Sequence, residues 1–221
     1  MGEIIQFQRP DGTKAPGYLA EPSQKNNAPG IVLIQEWWGV NDHIKDIAER
    51  LAKAGYRALA PDLFRGKVTK DSNLAGQMMG SLKPDEARQD IAGAADYLRA
   101  GSPKVGVMGF CMGGALTIAA AVHVNSISAA VCFYGIPPAD QADPKKIRVP
   151  IQFHFATNDQ WCSPAAVAAL EETVKKASVK YEMYRYDAEH AFFNDTRPEV
   201  YNEASAKLAW ELTLKFLKEN L

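Results

Sequence analysis

The feature that most constrains the fold is an alternation of short apolar segments with segments of helical spacing. Ile44, Ile47 and Leu51, for example, recur at the intervals of one helix face. The apolar segments are rich in β-branched or aromatic residues, as buried strands are, and they cover residues 31–34, 56–60, 104–108, 129–134, 151–156 and 181–186. This alternation predicts an α/β fold with a mostly parallel central sheet, helices on both faces and right-handed crossovers.

The N-terminal segment and the helix boundaries complete the predicted order of elements. Residues 3–8 and 17–20 flank Pro10-Asp11-Gly12, a turn composition, so we expect an antiparallel hairpin there. The polar stretch 64–83 is expected to hold a short helix or a lid. Capping residues, Pro starts and Gly stops predict helices over 41–55, 84–101, from about 112 onward, over 164–176 and over 198–219.

Length and charge narrow the class of protein. The 221 residues are 47% hydrophobic and contain no repeat or linker, which suits a single domain over residues 1–221. With 25 Lys and Arg against 26 Asp and Glu, the net charge of -1 offers no broad attraction to nucleic acid or to an acidic membrane. No apolar run approaches the roughly 20 residues of a membrane-spanning helix. The N-terminus carries no targeting or lipidation signal, so a cytoplasmic protein is expected.

A nucleophile motif follows the predicted strand 104–108. Gly109-Phe110-Cys111-Met112-Gly113 matches the strand-turn-helix pattern G-x-S-x-G, with Cys in place of Ser. The flanking glycines remove side chains that would collide as the chain turns sharply from strand to helix. The N-terminus of the helix that follows favours negative charge on sulfur and on a reacting carbonyl oxygen. Cys111 is therefore the predicted nucleophile.

A base and an acid are expected after later strands, because ligands of parallel sheets bind beyond the carboxyl ends of the strands. His190 lies in the loop after the last predicted strand, and Asp159 follows the strand before it. The order Cys111, Asp159, His190 is the order of nucleophile, acid and base in this strand-turn-helix arrangement. Asp159 would accept the imidazole N–H and fix the tautomer of the ring.

Further pocket residues are expected in the loop after the first central strand. The backbone N–H groups of Trp37 and Met112 are the candidate oxyanion donors. Glu36 adds a carboxylate beside the nucleophile, although a local backbone-capping role is the alternative. Trp37, Trp38 and Phe192 are candidates for walls of the substrate pocket, with a role as core aromatics left open.

The remaining cysteines and histidines are interpreted as structural. Cys132 lies in the middle of a predicted strand, and Cys162 is either a packed thiol or an edge of the pocket. His154 alternates within an apolar strand and is interpreted as a core residue. His43 and His123 fall on predicted helices, and no functional role is predicted for them. No His, Cys or Asp spacing suggests a metal site.

Taken together, these residues resemble the dienelactone hydrolase family over nearly the whole chain. The motifs that carry the resemblance are Gln35-Glu36-x-x-Gly39-Val40-Asn41, Pro61-Asp62-Leu63, Gly109 to Gly114, Asp159 and Glu189-His190-Ala191-Phe192. The resemblance implies an α/β-hydrolase fold, a Cys111-His190-Asp159 triad, contact of Glu36 with the resting thiol, and no cofactor. It also implies carboxymethylenebutenolidase-like chemistry, in which sulfur attacks an ester or lactone and a thioester acyl-enzyme is hydrolysed.

One departure from the family pattern bears on the substrate. Family members that act on dienelactone hold its carboxylate with arginines, one of them four residues beyond the catalytic His, and here that position is Asn194. Asn194 is therefore placed in the substrate pocket, and a less acidic ester or lactone is as good a candidate as dienelactone. A monomer or weak homodimer is expected. The competing hypotheses are a binding or signalling protein on the same fold and, less well supported, a redox protein that uses Cys111.

Overall fold

A single eight-stranded sheet organises the computed structural model, which describes residues 2–221. The strand order across the sheet is β1-β2-β4-β3-β5-β6-β7-β8. The strands are β1 (Glu3–Gln8), β2 (Lys14–Ala20), β3 (Gly30–Ile34), β4 (Arg57–Pro61), β5 (Val105–Phe110), β6 (Ala129–Phe133), β7 (Ile151–Asn158) and β8 (Tyr181–Glu189). Strands β3 to β8 run parallel, whereas β2 pairs antiparallel with both β1 and β4. The predicted fold class and N-terminal hairpin are confirmed.

Six α-helices of the described chain pack around this sheet. They are α1 (Asp42–Lys53), α2 (Ser72–Ser81), α3 (Pro84–Arg99), α4 (Met112–His123), α5 (Pro164–Val174) and α6 (Glu203–Asn220), with short 3-10 turns at Pro144–Lys146 and Lys175–Ala177. Helix α4 packs on β5 and β6, and α3 packs on α4 and β3. Within residues 2–221, none of the helices combines the length and apolarity needed to cross a membrane.

The predicted boundary of the last helix was wrong. Helix α6 begins at Glu203 rather than at residue 198, because Asn202 caps it by accepting the N–H of Ser205 at 3.0 Å. The residues before the cap form turns in which the N–H groups of Val200 and Tyr201 both donate to the Arg197 carbonyl. The stretch 64–83 holds α2, which agrees with the expectation of a short helix there.

The central strands are buried on both faces, and His154 in β7 shows how a polar residue is accommodated there. The His154 side chain is fully buried, with Nδ1 2.7 Å from the Tyr186 hydroxyl and Nε2 2.8 Å from Gln152 Oε1. A neutral ring satisfies both contacts, accepting from Tyr186 and donating to Gln152. Burial lowers the pKa of His154 from 6.5 to about 3. The core role predicted for His154 is confirmed.

The depressed pKa of His154 links stability to pH. In the unfolded chain His154 binds a proton near pH 6.5, whereas in the folded protein the ring stays neutral down to about pH 3. The contribution of His154 to the free energy of unfolding is therefore complete above pH 6.5 and decreases as the pH falls. Because of His154, the free energy of unfolding changes by up to about 1.4 kcal/mol per pH unit in this range. Urea unfolding between pH 4 and 7 should show a smaller slope for His154→Gln, and His123→Gln on the exposed end of α4 is the control. Equal slopes for wild type and His154→Gln would contradict this assignment.

Candidate active site

Cys111 stands at a sharp turn between β5 and α4. Its backbone adopts φ 55° and ψ -115°, a region that non-glycine residues rarely occupy. Two glycines make the turn possible, since a Cβ at Gly109 would lie 2.2 Å from the Gly113 carbonyl oxygen and one at Gly113 would lie 2.4 Å from that of Ile34. The turn therefore presents the half-buried Cys111 side chain to a pocket beyond the carboxyl ends of the strands.

Asp159 directly follows β7 and His190 directly follows β8, and a short hydrogen bond joins the two side chains. His190 Nδ1 lies 2.7 Å from Asp159 Oδ2, and Asp159 Oδ1 accepts the backbone N–H groups of Trp161 at 2.7 Å and Cys162 at 2.9 Å. Burial raises the pKa of Asp159, but the hydrogen bonds from His190 and the two amides outweigh it and lower the pKa overall. Asp159 is thus an ionised, fixed acceptor for the ring.

The second ring nitrogen of His190 is directed to the nucleophile side of the site. His190 Nε2 is buried, its ring lines the same pocket as Cys111, and the Cys111 side chain is the ring's second polar neighbour after Asp159. Burial lowers the pKa of His190, but the hydrogen bond with Asp159 and the interaction with Cys111 outweigh this effect and raise the pKa to about 10. The arrangement can hold a proton on the imidazole while sulfur carries negative charge.

The pocket has a volume of about 590 Å³ and mostly aromatic and aliphatic walls. The Trp37 ring lies edge-on to Trp38 at 5.1 Å and to Trp161 at 5.7 Å between centroids. Arg197 places its guanidinium carbon 5.5 Å from the centre of the Trp38 ring. Trp38, Trp37, Met112 and Glu36, all assigned to the site from sequence, line this pocket.

Two residues assigned to the substrate pocket from sequence lie elsewhere. Phe192 is fully buried between the rings of Tyr134 and Tyr186, at 5.5 and 4.9 Å. Asn194 is also buried, and its Nδ2 donates to Glu36 Oε2 at 2.7 Å. Neither side chain lines the pocket. Phe192 thus takes the core position that the sequence left open, and Asn194 satisfies the buried carboxylate of Glu36; the substrate-pocket role of each stays a prediction.

Glu36 is a carboxylate with little solvation. Its side chain is almost fully buried, and Asn194 donates its hydrogen bond. Burial raises the pKa of Glu36, and the attraction of His43, the Asn194 bond, His190 and Arg197 only partly offsets the rise. Asp159 and Glu36 are therefore two buried carboxylates whose pKa values move in opposite directions, because Asp159 accepts three hydrogen bonds and Glu36 accepts one.

The amides assigned to an oxyanion hole are free of other bonds. Trp37 follows β3 by three residues and Met112 is the first residue of α4, and both line the pocket. Within the described chain, neither N–H donates to a carbonyl of a turn, loop or cap. Each remains available to an oxygen in the pocket, with the N-terminus of α4 adding its favourable field.

Four residues at or near the site were missed by sequence reasoning. Tyr134 directly follows β6 and lines the pocket, and its ring packs on that of His190 at 5.1 Å between centroids. It is a residue at the end of a strand, but the predicted strand 129–134 included it. Trp161 lies two residues after Asp159 and is exposed at the pocket mouth. No local sequence pattern marked Arg197 or His43 as part of a site. No group of three or more His, Cys, Asp or Glu residues in the described chain is arranged to hold a metal ion.

Cys132 and Cys162 differ from Cys111 in their surroundings. Cys132 is fully buried, its Sγ donates to the Gly135 carbonyl at 3.2 Å, and burial raises its pKa to about 12. Cys162 is also buried, but it edges the pocket, and its Sγ donates to the Tyr134 carbonyl at 3.4 Å. Burial and the charge of Asp159 raise the pKa of Cys162 as well. Both thiols are held protonated.

Comparison with known proteins was made on sequence and on structure. The model of the "Dienelactone hydrolase family" matches residues 15–221. "Protein usf" of Aquifex pyrophilus is 36% identical and "Putative carboxymethylenebutenolidase" of Aquifex aeolicus is 32% identical, each over 233 residues with 100% of both chains covered. The solved structure of a "Putative Dienelactone Hydrolase" from Klebsiella pneumoniae has a TM-score of 0.86 at 26% identity, covering 97% of this chain and 98% of that one.

The close approach at the turn predicts different effects for two glycine substitutions. Gly113→Ala should lower the free energy of unfolding by about 3 kcal/mol or more, since the new Cβ meets the Ile34 carbonyl oxygen at 2.4 Å and backbone must move. Gly80→Ala in α2 meets no atom within 4 Å and should stabilise the protein by up to about 1 kcal/mol. Urea unfolding measures both, and a Gly113→Ala protein as stable as wild type would refute this account of the turn.

Proposed function

Because the chain belongs to the dienelactone hydrolase family, we propose that it hydrolyses a carboxylic ester or lactone with Cys111 as nucleophile. The observation that carries the proposal is the 2.7 Å bond between His190 Nδ1 and Asp159 Oδ2, which leaves the other side of the ring to interact with Cys111 in the pocket that both residues line. In this geometry Asp159 fixes the tautomer and His190 serves as the base.

The proposed reaction has two halves. In the first, the Cys111 proton passes to His190 Nε2, sulfur attacks the carbonyl carbon, and the resulting oxyanion accepts the N–H groups of Trp37 and Met112. The carbon–oxygen bond then breaks, the leaving alkoxide takes the proton from His190, and a thioester remains. In the second half, His190 removes a proton from water, hydroxide attacks the thioester, and the carbon–sulfur bond breaks to return the thiol and the acid.

The raised pKa of His190 supports a thiolate nucleophile. With a pKa of about 10, the ring holds a proton at neutral pH when Cys111 carries the negative charge. The N-terminus of α4 supplies further stabilisation of that charge at no cost in reorganisation during the reaction. A cysteine with this support is a competent nucleophile, in contrast with the protonated Cys132 and Cys162.

The pocket lining favours a substrate with an apolar body and one anionic group. Trp37, Trp38 and Trp161 provide flat apolar walls, and Arg197 stands over Trp38 as a cation in the lining. The expectation of a less acidic substrate rested on Asn194, which does not line the pocket, and on the lack of a second arginine in residues 75–79. Arg197, three residues after Asn194, gives the pocket a positive charge that can bind a carboxylate. We therefore propose that acidic esters or lactones are accepted.

Removal of the nucleophile tests the proposed reaction. Cys111→Ala should lower kcat for a p-nitrophenyl ester by at least about a thousandfold, because no other group can form the thioester. Cys132→Ala, outside the pocket, should stay within about threefold of wild type. Intact mass after a rapid acid quench should show the acyl adduct on wild type and not on Cys111→Ala. Equal rates for wild type and Cys111→Ala would refute the proposal, and ligand-induced thermal stabilisation without product would favour a binding protein.

A charge substitution tests the substrate class. Arg197→Gln should lower kcat/KM for a p-nitrophenyl ester that carries a free carboxylate by roughly three- to tenfold, because that carboxylate loses its cationic partner. The value for p-nitrophenyl acetate should stay the same. Arg148→Gln, which removes an exposed cation bonded to Asn125, is the matched control and should change neither. Equal losses on both esters in Arg197→Gln would show that Arg197 does not discriminate by charge.

A further inference from the structure

Helix α4, which begins at the nucleophile turn, is apolar on its open face as well as on its buried face. Of the side chains from Met112 to Val122, only Thr117 is polar, and its hydroxyl is buried and donates within the helix. Four side chains are only half-buried, and their spacing places them on one stripe of the helix: Met112, Ala115, Leu116 and Ala119. A surface helix normally carries polar residues on the face that meets solvent. The apolar stripe therefore indicates a wall of a binding groove.

Two cavities follow this stripe, and they meet at a neck. The pocket that Cys111 lines extends along the first turns of α4, and a second cavity of about 30 Å³ continues beside Ala119. Three residues line both cavities and so form the neck between them: Pro84, Leu116 and Gln141. We call the part of the pocket from Cys111 to this neck the α4 groove. The cavity beyond the neck holds little more than a water molecule, so the groove ends there.

The length and lining of the α4 groove define what it can hold. The chain segments that lead into the neck add apolar side chains to the pocket, since Leu82 lies two residues before Pro84 and Pro138 lies three residues before Gln141. From Cys111 to Leu116 the helix rises about 7.5 Å, which is the length of an extended chain of about six carbons. A linear apolar group of that length fills the groove.

The position of the base decides which part of an ester enters the α4 groove. The leaving oxygen receives its proton from His190, so the leaving group lies on the side of that ring. Trp161 stands on this side, 6.3 Å from His190 between ring centroids. Helix α4 leads away from the nucleophile in its own direction, because it starts at Met112 and ends at His123. The acyl chain is the part that extends along it.

We propose that the acyl group of the substrate is a linear apolar chain of about six carbons, bound in the α4 groove with its end at the neck. The inference rests on the proposed function in that Cys111 must form the acyl-enzyme, and it adds the identity of the acyl group. Leu116 then sets the length of the chain, since it lines both the groove and the cavity beyond it. The anionic group that Arg197 binds belongs to the leaving alcohol.

A series of p-nitrophenyl esters from acetate to decanoate, used below the onset of micelle formation, tests the chain length. On wild type, kcat/KM should rise by up to about fourfold with each methylene added up to hexanoate, because each is buried in the groove, and should rise no further beyond it. Leu116→Trp fills the groove and should move the optimum to acetate or butanoate. Leu116→Ala opens the neck and should move it to octanoate or decanoate. Leu208→Trp, at an exposed leucine of α6 outside the pocket, is the matched control and should keep the wild-type profile.

Binding without turnover separates this inference from the proposed function. Thermal unfolding of Cys111→Ala should be shifted to higher temperature by hexanoate more than by butanoate at equal concentration, and Leu116→Trp in that background should abolish the difference. If this pattern appears and no ester is hydrolysed, the proposed function is wrong and the groove still binds the chain. A flat ester profile, or one optimum shared by wild type and the Leu116 variants, overturns the inference while hydrolysis by Cys111 stands. If Leu116→Trp does not fold, Leu116→Ala alone decides, because its optimum must lengthen.

Discussion

The site depends on the close backbone approach at the turn between β5 and α4. The absence of a Cβ at Gly113 lets the start of α4 approach the carbonyl of Ile34 at the end of β3, which brings the loop after β3 and the nucleophile turn to the same place. Without that approach, Trp37 and Met112 would not present their N–H groups to one pocket. The strained backbone at Cys111 is maintained by the packing of β5, β3 and α4. This backbone conformation directs the thiol outward from the sheet.

Around this turn, the balance between burial and hydrogen bonding decides the charge of each acid. Asp159 and Glu36 are both 4% exposed or less, yet Asp159 has two amide donors and an imidazole, whereas Glu36 has one amide side chain. A buried carboxylate with several donors stays ionised, and one with a single donor is easily neutralised. The two carboxylates thus differ in what they do: Asp159 fixes the ring of His190, and Glu36 has one hydrogen-bond donor to stabilise its charge.

The family, the fold class, the strands and the positions of the nucleophile, base and acid candidates were predictable because each depends on local pattern. Apolar runs mark buried strands, and chemistry follows their carboxyl ends, so Cys111, Asp159 and His190 were found by inspecting those ends. Pocket membership was less predictable, as Phe192 and Asn194 show. Which side of a loop faces the pocket is set by tertiary turns, and the same loop turns Asn194 inward to Glu36.

The loop between β8 and α6 acts as one unit that joins base, acid and pocket wall. The Asn194 N–H donates to Ala191, the Arg197 N–H donates to Asn194, and the Asn202 N–H returns to the Phe192 carbonyl at 3.0 Å. Of these residues only Asn202 lies in the predicted helix 198–219, and its role as the cap of α6 explains why that helix starts late. The same set of turns therefore places Asn194 against Glu36 and Arg197 in the pocket lining.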